Sequence, residues 1–265
     1  MCEDQPVSRE WSSGELVRRL REAVRMTLLF SVSCIVASGC GSSQKTATVA
    51  AADNAVSVAK AHARAYARQV NLTQTDVPGA EVIADEEESG PPSQKALAVA
   101  RCAGAVLPDR RIADIRSSTL RVGNVVDEAT RVKSSIEVQP TAVVAARNYA
   151  ALASARDRTC IALDLPQLAE GGARPTHIGP TTVTVLPHLL PKGQNAFGFR
   201  IKTTITGASP TGRQRREILY LDDYGFVAGG AEVSLNDIRA SRPPPTALER
   251  HLLTLLYSRA QVHKP

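Results

Sequence analysis

Aromatic residues are scarce in this chain, since phenylalanine, tyrosine and tryptophan together make up 4% of its 265 residues. Proteins that bind single-stranded nucleic acid stack the bases on aromatic side chains placed among basic ones, and this interleaving is lacking here. The net charge of +6, from 32 basic and 26 acidic residues, is too small for this length to indicate nucleic acid by itself. The composition therefore argues against a nucleic-acid partner.

Recognisable catalytic motifs are lacking as well. The sequence contains no G-x-S-x-G nucleophile elbow, no P-loop and no dinucleotide-binding glycine pattern. None of its five histidines pairs with another histidine, a cysteine or a carboxylate at a metal-ligand spacing. We therefore predict a non-enzymatic protein with no catalytic residues, no metal site and no cofactor.

The chain also lacks an apolar run long enough to cross a membrane. Its clearest apolar run covers twelve residues, 26–37, and follows four arginines within residues 17–25. A membrane-spanning helix needs about 20 apolar residues, whereas a short apolar run after a basic stretch is the layout of a secretory signal peptide. Residues 1–16 are polar and fit no part of such a signal. Either translation starts near Val17 or the basic region of the signal is unusually long.

Small residues and a cysteine end the apolar run, in the order Val36-Ala37-Ser38-Gly39-Cys40-Gly41-Ser42-Ser43. This segment resembles the lipobox of bacterial lipoproteins, in which the cysteine receives a diacylglyceryl group and becomes the first residue of the mature chain. Two or more buried acyl chains, such as palmitate, hold a protein stably on a membrane. The alternative is an ordinary cleaved signal, with Cys40 present by chance. We predict a signal peptide over 1–39, a flexible lipidated tether over 40–52 and a single domain over 53–265.

Of the five cysteines, two would remain free to pair after export. Cys2 and Cys34 leave with the signal, and Cys40 carries lipid. Cys102 and Cys160 then most simply form one disulfide, because an exported domain folds in an oxidising compartment. The alternative is two separate buried thiols.

The pattern of the exported part predicts an α+β fold, an antiparallel β-sheet flanked by helices. Helices are predicted over residues 53–70, 93–102, from Pro140-Thr141 to about Ala155, and from Thr246 onward, where leucines recur at helical spacing. A short helix or turn is predicted over 159–168. Strands are predicted over residues 118–122, 134–138, 181–186, 196–206, 213–221 and 226–235. Asp222-Asp223-Tyr224-Gly225 is predicted to be the tight turn between the last two strands.

Several short segments, taken together, resemble a group of actinobacterial lipoproteins of unknown function. They are AYARQVNL at 65–72, DVPG at 76–79, RCAG at 101–104, SSIEVQPT at 134–141, LASARDRTC at 152–160 and LLTLLYSRA at 252–260. The predicted fold is also similar to the PsbP/Mog1-type fold and to the extracellular sensor domains of some actinobacterial membrane kinases. The resemblance implies a ligand-binding domain on the outer face of the cell membrane.

One concentration of basic residues stands out, Arg213-Gln214-Arg215-Arg216, with Arg200 and Lys202 on a neighbouring predicted strand. Arg213 and Arg215 would share one face of their strand and, with Arg200 and Lys202, could meet an anionic ligand or the anionic lipid surface. The alternative is a solvated sheet edge on which charge prevents aggregation. The expected function is a lipid-anchored extracytoplasmic module that binds an unknown small ligand or senses it. The rival is a structural accessory protein that docks onto an envelope complex or the cell wall.

Overall fold

The computed structural model describes residues 44–88, 101–102, 111–123, 129–169, 176–190, 196–208 and 214–263. This part of the chain forms an α+β fold in which four helices flank a ten-stranded antiparallel sheet, so the predicted fold class is confirmed. The predicted signal peptide, Cys40, Arg213 and most of the helix predicted over 93–102 lie outside the described residues.

The helices are α1 (Gln44–Val70), α2 (Ala142–Leu152), α3 (Ala155–Ala169) and α4 (Thr246–Val262). The strands are β1 (Glu81–Ala84), β2 (Glu87–Glu88), β3 (Ala113–Arg116), β4 (Thr119–Val122), β5 (Thr130–Val138), β6 (Thr176–Ile178), β7 (Thr182–Val185), β8 (Ala196–Ala208), β9 (Gln214–Ala228) and β10 (Ala231–Ala240).

The strands follow the order β1-β4-β5-β10-β9-β8-β6, with β3 also paired to β5, β2 to β3, and β7 to β8. The centre of the sheet is made by β10, β9 and β8, which are 10, 15 and 13 residues long. A two-residue turn at Gly229-Gly230 joins β9 to β10. Gly229 has a φ of 59°, a left-handed conformation that glycine adopts without steric strain.

One face of the sheet, which we call the α1/α4 face, packs against α1 and α4. Its fully buried side chains include Ile136, Leu235 and Phe226 on the strands, Tyr66 on α1 and Leu252 on α4. Leu252, Leu253 and Leu256 are among the leucines that the sequence placed at helical spacing, and all three are buried. The hydrophobic stripe of the last helix therefore builds the main core.

The opposite face, which we call the α2/α3 face, is apolar over only part of its width. Under α3, the strands β8 and β9 contribute Phe199, Ile201, Leu219 and Leu221 to a second core cluster with Cys160 and Ile161. Under α2 and toward β5, the inward positions of the same face carry polar or charged side chains instead. This polar half cannot be explained by hydrophobic burial.

The prediction of a turn at Asp222-Asp223-Tyr224-Gly225 is wrong, because β9 continues through these residues. Each has a partner across the sheet: Asp222 lies opposite Arg200, and Gly225 lies opposite Phe197. A Cβ atom at Gly225 would come within 2.6 Å of the Phe197 ring. The glycine is needed there because an aromatic ring lies over the strand, and the chain does not turn.

Helix α1 begins at Gln44, so the part of the predicted flexible tether from residue 44 onward is helical. Residues 55–62 of α1 are exposed, and Ala63, which follows them, is buried. No helix among the described residues combines the length and the apolar character that a membrane span requires.

Candidate functional site

Polar residues occupy the inward positions of β10 and β5 on the α2/α3 face. The register places Glu232 opposite Glu137, Ser234 opposite Ser135, and Asn236 opposite Lys133. All six are buried or nearly so. Buried polar side chains are normally retained only where hydrogen bonds or charges compensate for lost hydration. The row of polar pairs is therefore the first candidate for a functional surface.

Helix α2 contributes an amide to this row. Thr141 caps the helix, its side-chain oxygen accepting the Val144 backbone N–H at 3.2 Å, and the helix then places Asn148 over the sheet. The Asn148 Nδ2 group donates to Glu232 Oε1 at 3.1 Å, while Asn148 Oδ1 is buried and accepts no hydrogen bond.

Glu232 lies in an acidic environment. Burial, followed by the negative charge of Glu137, raises the pKa of Glu232 well above its usual range. A hydrogen bond from Asn148 and the positive charge of Arg111 act in the opposite direction. The Arg111 guanidinium lies 3.4 Å from Glu137 and also contacts Asp114. Glu232 therefore carries a proton at neutral pH.

Helix α3 places a second carboxyl against the same face. Asp157 is 1% exposed, and its Oδ2 atom accepts no hydrogen bond. Burial, followed by the negative charge of Asp223 on β9, raises the pKa of Asp157 to about 7, while the charge of Arg158 lowers it. Asp223 Oδ1 in turn accepts a hydrogen bond from Asn236 Nδ2 at 2.7 Å. A carboxyl that titrates near neutral pH is thus held between α3 and the sheet.

Aromatic rings border this carboxyl pair. Phe199 is the cross-strand partner of Asp223, and Phe197 is the partner of Gly225 on the same face. The rings of Phe197 and Phe199 stack with centroids 5.6 Å apart, and Tyr149 of α2 lies 5.4 Å from Phe197. Burial raises the pKa of Tyr149. Carboxylates and aromatic faces are therefore brought together where α2 and α3 meet the sheet.

A separate acidic cluster lies on the α1/α4 face. Arg200 holds Asp222 through two hydrogen bonds, one of them from Nε at 2.6 Å, and Asp237 lies directly opposite Asp222. Glu249 of α4 is fully buried, and its Oε2 lies 3.4 Å from the Tyr224 hydroxyl. Burial, followed by the hydrogen bond to Asp222 and the charges of Asp222 and Asp237, raises the pKa of Glu249 well above its usual range.

The predicted basic patch is spread out in the structure. Arg200 is 21% exposed and is engaged by Asp222. Lys202 is exposed, with its amine 5.8 Å from the centre of the Tyr220 ring. Arg215 pairs with Gly207 in the β8–β9 register, five positions along β9 from Tyr220, which is about 17 Å along a strand. Anion binding by Arg200, Lys202, Arg213 and Arg215 stays a prediction.

The two cysteines left for pairing are joined in the structure. A disulfide links Cys102 to Cys160 of α3, with the Cα atoms 5.8 Å apart. Cys160 is 2% exposed and packs with Ile161 and Phe199. The disulfide therefore ties α3 to the chain 58 residues earlier, beside the carboxyl pair.

Among the described residues, no three histidine, cysteine, aspartate or glutamate side chains are arranged to hold a metal ion. Sequence reasoning missed Asp157, Asn148 and Glu249. Asp157 is the fourth residue of a Ser-x-x-Asp signature, which normally marks the start of a helix. Because this signature accounts for an aspartate at position 157, the sequence pattern does not indicate that its side chain is buried. Asn148 and Glu249 are single polar residues at apolar positions of their helices.

The raised pKa of Asp157 predicts a pH-dependent stability effect. Because the folded-state pKa lies above the unfolded value, ionisation destabilises the fold as pH rises from about 4 to about 7, and the penalty is complete above that range. Replacing Asp157 with Asn should therefore raise the free energy of unfolding by about 4 kcal/mol at pH 8, and by little at pH 4.

Urea unfolding at both pH values measures this difference. The matched control is Asp85→Asn, an exposed carboxylate on the loop after β1, which should change stability by less than about 0.5 kcal/mol. If Asp157→Asn changed the free energy of unfolding equally at pH 4 and pH 8, the raised pKa of Asp157 would be contradicted.

Comparisons with known proteins identify no family. No protein-family model matches the sequence, and no curated protein matches it. Among solved structures, the extracellular domain of PknH from Mycobacterium tuberculosis is similar at 13% identity and a TM-score of 0.33, over 74% of this chain and 95% of that chain. Neither the family nor the function can be read from a likeness of this size.

Proposed function

We propose that this chain is a membrane-anchored extracytoplasmic lipoprotein that binds or senses a small ligand without catalysing a reaction. The single observation that supports binding is that buried acceptors on the α2/α3 face lack hydrogen-bond partners. Asn148 Oδ1 and Asp157 Oδ2 are both in this condition. Unsatisfied buried polar atoms cost about 1–3 kcal/mol each, and a ligand that donates to them would recover that energy.

Two observations support export and anchoring. Residues 17–40 have the layout of a signal peptide ending in a lipobox, with Cys40 as the lipidated residue. The disulfide between Cys102 and Cys160 fits an oxidising compartment outside the cytoplasm. The partners in this proposal are the membrane, through the lipid, and an unidentified small molecule.

The rival proposal, a protein that docks onto a cell-envelope complex, lacks a corresponding surface among the described residues. Large exposed apolar side chains occur there on separate elements. They are Val56 and Val58 on α1, Val82 on β1, Val143 on α2, Leu163 on α3, Val185 on β7, Ile218 on β9 and Val262 on α4. Scattered residues of this kind are normal for a protein surface and do not indicate docking.

Ligand binding is tested by thermal unfolding of the full chain in the presence of fractionated small-molecule extract from its own host. A fraction containing the ligand should raise the melting temperature, since a ligand at 100 times its dissociation constant adds about 2.7 kcal/mol to stability. The control is the same fraction with the Asn148→Leu variant, which removes the unpartnered acceptor Oδ1 and should weaken binding. The absence of any stabilising fraction would count against the proposal.

Lipidation is tested by expressing the full chain with an alkyne analogue of palmitate and detecting the label on the protein. We expect labelling and membrane association of the native chain and of Cys34→Ser, and loss of both in Cys40→Ser. Equal labelling of both variants would show that Cys40 is not the lipidated residue.

A further inference from the structure

The carboxyl of Asp157 is not explained by the local chemistry of its helix. Ser154 caps α3, its hydroxyl accepting the Asp157 backbone N–H at 3.0 Å. In a complete capping box the carboxylate of the fourth residue would accept a hydrogen bond from the Ser154 backbone N–H. Here the Ser154 N–H donates to Ala151 O instead. The Asp157 carboxylate is turned away from the cap, and its Oδ2 accepts nothing.

The surroundings of Asp157 would suit a positive charge. Asp223 faces it from β9 and raises its pKa, while Arg158, on the same helix, directs its Nη1 group to Ala153 O at 2.9 Å. β6, β7 and α2 also pack on α3, and β8 lies beneath it. The ionisable side chains of β6 and α2 are the exposed His177, the exposed Arg147 and the half-buried Tyr149, and β7 has none. Arg200 and Lys202 of β8 belong to the opposite face of the sheet.

The aromatic rings specify the kind of cation. Phe199 packs in the same core cluster as Cys160 and Ile161 of α3, so it lies beneath the helix that carries Asp157. It stacks on Phe197, and both belong to the face that holds Asp223. Aromatic faces attract organic ammonium groups, whose apolar substituents they can also cover. A bare divalent metal would instead need a shell of oxygen ligands.

Resting on the proposed ligand-binding function, we propose that Asp157 and Asp223, with Phe197 and Phe199 beside them, bind the ammonium group of a small organic amine between α3 and the sheet. The ammonium donates to Asp157 Oδ2, which accepts no hydrogen bond in the structure. Because the site is closed in the structure, α3 must shift to admit the ligand, and the disulfide at Cys160 limits that shift.

The test uses isothermal titration calorimetry of the full chain at pH 8 with n-butylammonium and, as its anionic counterpart of similar shape, n-butyrate. We expect butylammonium to bind and butyrate not to bind. Lowering the pH from 8 to 6 should weaken ammonium binding about tenfold, because a carboxyl with a pKa of about 7 is then mostly protonated.

Three variants make the test specific. Asp157→Asn should weaken ammonium binding at least about tenfold while leaving the chain folded, since it removes a buried charge. Phe197→Leu, which keeps an apolar side chain, should weaken it by a few-fold. Glu249→Gln removes a buried carboxyl on the opposite face, and it should leave binding unchanged.

The outcomes separate this proposal from the proposed function. If butyrate binds and butylammonium does not, the cation assignment is wrong although ligand binding stands. If neither probe binds while a host fraction stabilises the chain, the ligand is of another class and the amine proposal is overturned. If Mg²⁺ displaces butylammonium and Phe197→Leu has no effect, the site prefers a metal ion and the proposal is again wrong. If neither probe binds and no host fraction stabilises the chain, both proposals fail.

Discussion

Replacing Arg200 with Ala should lower the free energy of unfolding by about 4 kcal/mol at pH 7, with a fall in melting temperature of roughly 10 °C. Asp222 is 0% exposed, and Arg200 supplies two hydrogen bonds to its carboxylate. Without the guanidinium, Asp222 would remain buried beside Asp237 and Glu249 with its counter-ion removed. Breaking a buried ion pair on one side is far more costly than losing an exposed one.

The control for this prediction is Lys202→Ala. Lys202 lies two residues further along β8 and is exposed, so its loss should cost no more than about 1 kcal/mol. Adding Asp222→Asn to Arg200→Ala should recover part of the lost stability, because the uncompensated charge disappears. Urea unfolding of the four proteins measures these effects. An Arg200→Ala loss no larger than that of Lys202→Ala would contradict the role assigned to the ion pair.

Removing the disulfide should also cost about 4 kcal/mol. The bond closes a loop with a sequence separation of 58, and the chain-entropy model assigns about that value to a loop of this length. The closed segment contains β3, β4, β5 and α2. Without the disulfide, this segment gains conformational freedom in the unfolded state, and the free energy of unfolding therefore falls. Cys160 packs with Ile161, Phe199 and other apolar side chains, and the native fold would keep this packing.

The disulfide is tested with the Cys102→Ser and Cys160→Ser double variant and with a reducing agent. Reduction should destabilise the native chain by about the same amount as the double variant, and the double variant should not respond to the reductant. A thiol titration under denaturing conditions that finds both cysteines free would contradict the pairing.

The apolar pattern gave good predictions where burial alone determines structure. Alternation over residues 196–206 predicted β8 nearly to its ends, and the leucine spacing after Thr246 predicted the buried side of α4. The Pro140-Thr141 pair correctly located the start of α2, because a hydroxyl cap is a local interaction. These features depend on neighbours in sequence, and a single sequence contains that information.

Prediction failed where a distant residue determines the conformation. Asp222-Asp223-Tyr224-Gly225 has the composition of a turn, yet Arg200, Asn236 and the Phe197 ring lie against it from other elements. Asp157 has the signature of a cap, yet it faces Asp223 across the α3–sheet interface. These contacts cannot be inferred from sequence spacing, because the strand register and the packing of α3 on the sheet determine them.

The failures coincide with the candidate site. A chain under selection for stability alone would place an apolar side chain at position 157 and would not bury Glu232 beside Glu137. Buried polar atoms that accept no hydrogen bond, such as Asp157 Oδ2 and Asn148 Oδ1, are expected where a protein binds something else. The α2/α3 face is therefore the surface on which the function of this chain should be sought.

Native mass spectrometry of the full chain purified from its own host tests this central claim most directly. We predict that the native protein carries a small molecule as a non-covalent mass increment, that the increment belongs to an amine, and that it is retained in Glu249→Gln and lost in Asp157→Asn. Native and Asp157→Asn proteins that both show only the mass of the processed chain would contradict the account.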